Sequence, residues 1–291
     1  MDMHLSNTPL RYPGGKGKLT PFLKLIFEEN ELLDGHYAEA YAGGAGIAVN
    51  LLLHGYASCV HLNDINKAVF AFWHSVINDT DALCKKIHDT RVTIEEWKKQ
   101  FVVHRSNDEH TLLELGFSTF FLNRTNRSGI LTGGVIGGLN QAGEWKIDAR
   151  YNKNALCKRI EKIALYRTRI RLYNLDATAF INGVLPSLPK KSLVYLDPPY
   201  YVKSKRLYRN LYTHEGHAEI AKLVMKNLAK PWIVSYDYAP EILEMYNGCP
   251  SLMYGLNYSA GKNRYKGCEA MFFSKGLTIP DVKNAADLKA A

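Results

Sequence analysis

Residues 37–64 constrain the fold most. Tyr37 opens an apolar strand, Gly43-Gly44-Ala45-Gly46 makes a glycine turn, a helix is predicted from about Ile47 to His54, and a second strand, Ser58 to Leu62, ends at Asn63-Asp64. That order reads as a Rossmann-like unit, and Gly43 and Asp64 stand about as far apart as such a unit places its turn and its acidic ribose ligand. The pattern carries a mechanism. Glycines let a ligand approach the backbone, and the Asp64 carboxylate can accept from both hydroxyls of a ribose. Val49 stands where a dinucleotide fingerprint has its third Gly or Ala, so a pyrophosphate fits this turn imperfectly.

A second stretch places the chemistry. The short apolar run Leu193 to Leu196 is preceded by Lys190-Lys191 and followed by Asp197-Pro198-Pro199-Tyr200 and a basic loop, Tyr201 to Arg209. This reads as a buried strand emerging at the carboxyl edge of a sheet, where open α/β sheets build ligand sites. The four residues suit the holding of an exocyclic amino group. The amino nitrogen of adenine is a poor nucleophile because its lone pair is conjugated with the ring. Asp197 can accept one N–H and the Pro198 carbonyl the other, drawing the nitrogen toward tetrahedral geometry. Pro198 and Pro199 fix the backbone, and Tyr200 offers a ring face for a flat base. The same residues also suit a plain Pro-Pro turn with Asp as a local cap.

Composition narrows the partners. The 291 residues, 46% apolar and 22% charged, can bury a full core, as one large domain with an insert or as two domains. No secretory pattern opens the sequence and no apolar run reaches membrane-spanning length, so a cytoplasmic protein is expected. Five scattered cysteines, none in a Cys-x-x-Cys pair, read as reduced and structural; no zinc site and no histidine ligand pair is expected. The net charge of +9 favours a polyanionic partner. Residues 79–170 hold 16 Lys and Arg against 11 Asp and Glu, more than half of that excess in about a third of the chain.

Within this basic section, helices are predicted over Thr80 to His88, after Thr93 with Glu96 completing a capping box, and over Thr111 to Leu122. The segment 123–129 breaks the pattern, and the glycines of 133–143 suggest a hairpin or mobile loop ending near Trp145. Arg124, Asn126, Arg127, Asn140 and Gln141 are the side-chain types that pair with guanine and adenine edges, although a solvated polar loop has the same composition.

Pro9-Leu10-Arg11-Tyr12-Pro13-Gly14-Gly15-Lys16, Glu39-Ala40-Tyr41-Ala42-Gly43-Gly44 and Asp197-Pro198-Pro199-Tyr200 together resemble the Dam-type (D12 class) adenine-N6 DNA methyltransferases, nearly to Lys275. The resemblance implies an α/β, Rossmann-like fold that uses S-adenosylmethionine, with a mixed sheet, an antiparallel final strand and an inserted, mainly helical target-recognition domain. The expected divisions are 1–78 and 166–275 for the catalytic domain, 79–165 for the insert and 276–291 for a mobile tail. S-adenosylmethionine has no phosphate and needs only an open loop. The resemblance puts Lys16 at its methionine carboxylate, Tyr12 at the position of an aromatic that packs on the cofactor, Glu39 near the methionyl part and Asp176 near the adenine, beside Gly43, Gly44 and Asp64. Asp176 also suits a helix N-cap.

The implied reaction is methyl transfer to N6 of an adenine flipped out of duplex DNA, with Asp197, Pro198, Pro199 and Tyr200 as the catalytic turn and no metal. The implied segment after Asn123-Arg124 faces DNA. A companion restriction endonuclease is one partner such an enzyme can have, and a monomer or weak dimer is expected. Three alternatives stay open: an RNA adenine-N6 methyltransferase, a cytosine-N4 DNA methyltransferase, and a binding-only DNA protein descended from such an enzyme.

Overall fold

The computed structural model of the chain describes residues 7–11, 15–202, 212–260 and 263–288, of which 256–260 and 263–266 as backbone alone. Tyr12 and most of the basic loop after Tyr200 lie outside the described residues.

Seven strands form one sheet: β1 (Gly35–Glu39), β2 (Ala57–Asn63), β3 (Ile170–Tyr173), β4 (Ser192–Leu196), β5 (Trp232–Asp237), β6 (Ser251–Ala260) and β7 (Asn263–Phe273). Their spatial order is β3-β2-β1-β4-β5-β7-β6. The pairs among β1 to β5 are parallel, and β7 runs antiparallel between β5 and β6. This is the expected mixed sheet with an antiparallel final strand. All residues of β4 and β5 are buried, which explains their near-continuous apolar sequence, since a strand covered on both faces shows no polar alternation. Leu193 and Tyr195 join the core on one face, and Val194 and Leu196 join the core on the other.

The connecting helices are α1 (Thr20–Glu29), α2 (Gly46–Leu53), α3 (Lys67–Asn78), α4 (Thr80–Asp89), α5 (Ile94–Arg105), α6 (Leu112–Thr125), α7 (Lys153–Ala164), α8 (Ala177–Gly183), α9 (His214–Asn227) and α10 (Pro240–Met245). None among the described residues is long and apolar enough to cross a membrane.

The section between β2 and β3 is helical, but it does not stand apart from the sheet. Phe117, Phe120, Phe121 and Ile160 belong to the same core cluster as Tyr37, Val60 and Leu193. α6 lies so close on α3 that a Cβ at Gly116 would come within 2.4 Å of Ser75 Oγ and 2.6 Å of the Ala71 carbonyl, so only glycine fits there. Thr119 Oγ1 donates to the Ala68 carbonyl at 3.0 Å across the same contact.

Three local expectations need correction. Thr93 accepts from the Glu96 N–H, yet the Glu96 carboxylate accepts from Gln100 Nε2 at 2.6 Å; the reciprocal capping box is instead Thr111 with Glu114. Residues 133–145 form no hairpin: one isolated bridge joins Asn126 to Val135, and the remainder is turns. The described part of the tail, residues 277–288, is packed rather than loose. Ala285 is fully buried, Thr278 N–H donates to Asn30 Oδ1 at 2.7 Å, and Asn284 Oδ1 accepts from the Gly255 N–H at 3.2 Å.

Candidate active site

Strand order reverses between β1 and β4, so their connections leave in opposite directions and open a crevice at the carboxyl edge. β4 delivers Asp197-Pro198-Pro199-Tyr200 into it, and neighbouring elements fix that turn from three sides. From the loop before α1, Lys16 is buried with its Nζ 2.8 Å from Asp197 Oδ1, 2.9 Å from Oδ2 and 2.8 Å from Tyr200 Oη. It also lies 4.8 Å over the Tyr200 ring. From β5, Ser235 Oγ donates to Asp197 Oδ1 at 2.8 Å and lies 2.8 Å from Tyr195 Oη. At the end of the same strand, Asp237 accepts from the N–H groups of Tyr201 and Val202 at 2.8 and 3.0 Å, pinning the backbone just past the turn.

The far side is closed by Glu269 of β7. It accepts from the Tyr200 hydroxyl on Oε1 and from Tyr254 Oη of β6 at 2.6 Å on Oε2, with Lys16 Nζ at 3.7 Å. Burial pushes the Glu269 carboxyl above its usual range, and Lys16 draws it partly back. Burial, with Asp197 and Glu269 beside it, raises the Tyr200 phenol well above its usual value, so it stays a hydrogen-bond donor.

The other half of the crevice lies at the ends of β1 and β2. Asp64 Oδ2 accepts from the Gly43 N–H at 2.8 Å and Oδ1 from the Asn66 N–H at 2.9 Å, so the carboxylate is aimed while each oxygen keeps acceptor capacity. Desolvation raises its pKa to about 6, against those two N–H groups. Gly43 holds φ of 46° and its carbonyl accepts from Trp73 Nε1 at 2.9 Å, while the Gly44 carbonyl accepts from Thr8 Oγ1 at 2.5 Å. Ala45 takes the left-handed conformation (φ 45°, ψ 37°) that the glycine-rich turn demands, so the turn closes without a glycine at that place. Glu39, buried at the end of β1, accepts from the Ala48 N–H at 3.1 Å, and burial pushes its pKa up to about 8. Asp176 caps α8 through the Ala179 N–H at 2.9 Å and is exposed.

The residues expected to read bases divide. Arg124 is 7% exposed and donates from Nε to the Pro9 carbonyl at 2.7 Å, with Nη2 on the same oxygen. Next to it, Asn123 Oδ1 accepts from the Arg11 N–H at 2.7 Å and its Nδ2 donates to the Arg11 carbonyl at 3.0 Å. These two residues therefore hold the N-terminal segment that leads to Lys16, and the expectation that Arg124 meets a base edge is corrected. Asn126 is fully buried, accepting from Trp97 Nε1 at 2.6 Å and donating to the Ile130 and Leu131 carbonyls at 2.9 Å. Gln141 donates to the Ile136 and Gly138 carbonyls, both at 2.7 Å, and accepts from the Ile147 N–H at 2.8 Å, so its amide closes its own loop. Arg127 and Asn140 are exposed.

Burial and then Arg150 lower Arg11, Arg124 has Arg159, Arg11 and Arg150 around it, and none of the four makes an ion pair among the described residues. Burial first and then Arg159 and Arg11 bring Arg124 down to about 9. Arg150 is exposed and stacks at 5.5 Å over Trp145, itself 58% exposed.

Sequence reasoning missed Ser235, Asp237, Tyr254 and Glu269. Asp237 had a signal, since it ends an apolar strand as Asp197 does; the others meet the turn only through strand pairing.

Comparison with solved structures gives distant likenesses. A candidate RNA methyltransferase of Pyrococcus horikoshii is 12% identical over 88% of this chain and 82% of its own, with a TM-score of 0.43. The rRNA methyltransferase AviRa of Streptomyces viridochromogenes is 9% identical over 87% of this chain and 83% of its own, with a TM-score of 0.35. No curated protein matches the chain. Residues 12–257, from the N-terminal loop through the Asp197-Pro198-Pro199-Tyr200 turn to β6, match the D12 class N6 adenine-specific DNA methyltransferases, and the chain belongs to that family.

Proposed function

We propose that the chain transfers a methyl group from S-adenosylmethionine to N6 of an adenine turned out of duplex DNA. Family membership implies a donor of the S-adenosylmethionine type. When bound, that donor supplies the methyl group from its sulfonium. Asp64 is the acceptor for its ribose hydroxyls, and Gly43 and Gly44 leave the backbone approachable. Glu39 lies at the strand end toward the methionyl part, and Asp176 near the base.

The observation that carries this reading is the state of Asp197. Among the described residues Oδ1 already accepts from Ser235 and Lys16 and Oδ2 from Lys16 alone, which leaves acceptor capacity on an oxygen held at fixed orientation. Asp197 and the Pro198 carbonyl can then take the two N–H groups of an adenine amino group. That arrangement pulls the nitrogen out of conjugation only when the base is seated, an interaction that strengthens toward the transition state. Tyr200, tied through its hydroxyl to Glu269, offers its ring to the base. Lys16 serves as the group that orients Asp197 and Tyr200; whether it also meets the methionine carboxylate is read from the cofactor affinity of Lys16→Ala.

The DNA side of the proposal rests on arginines that have no carboxylate partner among the described residues. The exposed Arg127 and Arg150 would neutralise phosphates, with Asn140 and Trp145 along the duplex. Incubation of duplex DNA and of ribosomal RNA with the chain and labelled S-adenosylmethionine, followed by nucleoside analysis, tests the reading. N6-methyladenine in the DNA is expected. Label confined to RNA, or N4-methylcytosine as product, would contradict it.

A further inference from the structure

The scattered histidines and cysteines yield no ligand spacing in the sequence, but the sheet brings three of them together away from the catalytic turn. His36 is the second residue of β1, and Cys59 and His61 alternate on β2; strand register places His36 opposite Cys59 and His61 opposite Ala38. Their side chains share one face. His36 Nδ1 lies 3.0 Å from His61 Nε2, Cys59 Sγ lies 3.8 Å from the same His61 nitrogen, and all three ligand atoms fall within 4.8 Å of one another.

From this juxtaposition we propose that His36, Cys59 and His61 form a binding site for one borderline-soft divalent cation, of which Zn²⁺ fits best. A tetrahedral ion at about 2.0 Å from nitrogen and about 2.3 Å from sulfur sets its N–N and N–S neighbours about 3.3 and about 3.5 Å apart. The observed 3.0 and 3.8 Å differ from these by about 0.3 Å, and the His36–Cys59 pair, within 4.8 Å, closes by at most about 1.3 Å, which rotation of the half-buried His36 ring and the Cys59 side chain supplies. A thiolate with two imidazoles selects Zn²⁺ and its neighbours over Mg²⁺ or Ca²⁺, which take oxygen.

The second layer of contacts suits the same ion. His61 Nδ1 lies 3.0 Å from Tyr173 Oη of β3, so that nitrogen can carry the proton and leave Nε2 as the ligand. The ring stacks on Tyr173 with centroids 6.0 Å apart, which fixes its plane. Burial, with Arg171 acting in the same direction, holds both imidazoles below their usual range. Arg171 and Arg169 are the charged groups nearby. They oppose a cation, and they favour the Cys59 thiolate against the burial that disfavours it. His36 is half-exposed, which gives the ion an entrance and the fourth position a solvent ligand. The site joins β1, β2 and, through Tyr173, β3, so the expected role is structural.

Titration of the reduced full chain with Co²⁺, followed by Zn²⁺ competition, tests the site. One equivalent should produce thiolate-to-cobalt charge-transfer absorption that Zn²⁺ abolishes, and Zn²⁺ should raise Tm. Cys59→Ser and His61→Ala should each lose the band and weaken Zn²⁺ binding by at least about a hundredfold; Tyr173→Phe should weaken it by roughly ten- to a hundredfold. Cys84→Ser should leave it unchanged. The donor-binding residues lie outside the cluster, so S-adenosylmethionine binding by each variant reports that it is folded. Absence of the band in the parent protein, or a band that survives both Cys59→Ser and His61→Ala, would show only a hydrogen-bonded histidine pair and overturn the proposal.

Discussion

At the residue scale, the proposed reaction gives Asp64 to the donor and Ser235 to the positioning of Asp197, and substitutions at the two should differ in kind. Asp64→Ala removes charge-assisted bonds to a ribose, each worth roughly 1.5–3 kcal/mol, so S-adenosylmethionine affinity should fall at least about tenfold while DNA affinity holds; calorimetry checks this. The raised pKa gives the effect a direction. As pH falls through about 6, Asp64 gains a proton and loses acceptor capacity, so donor affinity should drop by at most about tenfold per unit there, and Asp64→Asn should flatten the profile. In the free protein the same shift stabilises the fold below the ordinary carboxylate range, and that contribution is lost as pH rises through about 6. Ser235→Ala should lower the rate of methyl transfer by roughly tenfold or more with donor affinity unchanged, because it frees Asp197 Oδ1 from one donor. Equal losses in binding and rate would remove Ser235 from the positioning role. Asp64 and Gly43 are legible in sequence because one βαβ unit sets their distance. Ser235 and Glu269 are not, since they reach the turn across 38 and 69 residues of chain through strand pairing.

At the scale of elements, the contact between α6 and the N-terminal segment carries the largest revision. Asn123-Arg124 reads as a DNA-facing break because its side chains are those that read bases, yet a buried guanidinium must find acceptors, and the Pro9 carbonyl supplies them. Nothing local announces a partner 115 residues away. Arg124→Ala should therefore destabilise the protein by roughly 1–3 kcal/mol and lower activity on all DNA sequences alike, through loss of the segment that carries Lys16. Thermal denaturation together with a panel of single-base site variants measures both; relaxed preference at a single position with unchanged Tm would restore the base-reading role. The Gln141 loop makes the same point. Glycines at 133–143 suggest a hairpin, but the Gln141 amide satisfies three backbone groups and folds the segment on itself.

At the scale of the whole molecule, the positions of β1, β2 and β4 were readable because buried parallel strands leave continuous apolar runs, whereas their order in the sheet, β6 and the packed part of the tail were not. The helical section and the sheet share one core, so heat should unfold them together. Gly116→Ala, which drives a methyl group into Ser75 and the Ala71 carbonyl, should cost about 1–3 kcal/mol and lower Tm by roughly 2–4 °C for each kcal/mol, still in a single transition. Two resolved transitions in calorimetry would mean that the helical section folds independently. These parts meet at the carboxyl edge between β1 and β4, where the proposed reaction assigns Asp197 the acceptance of the amino group. Single-turnover methylation by Asp197→Ala at saturating donor and DNA tests that claim most directly: methyl transfer should fall by orders of magnitude while binding of both ligands changes little. Near-normal turnover by Asp197→Ala would show that this turn is not where the chemistry occurs.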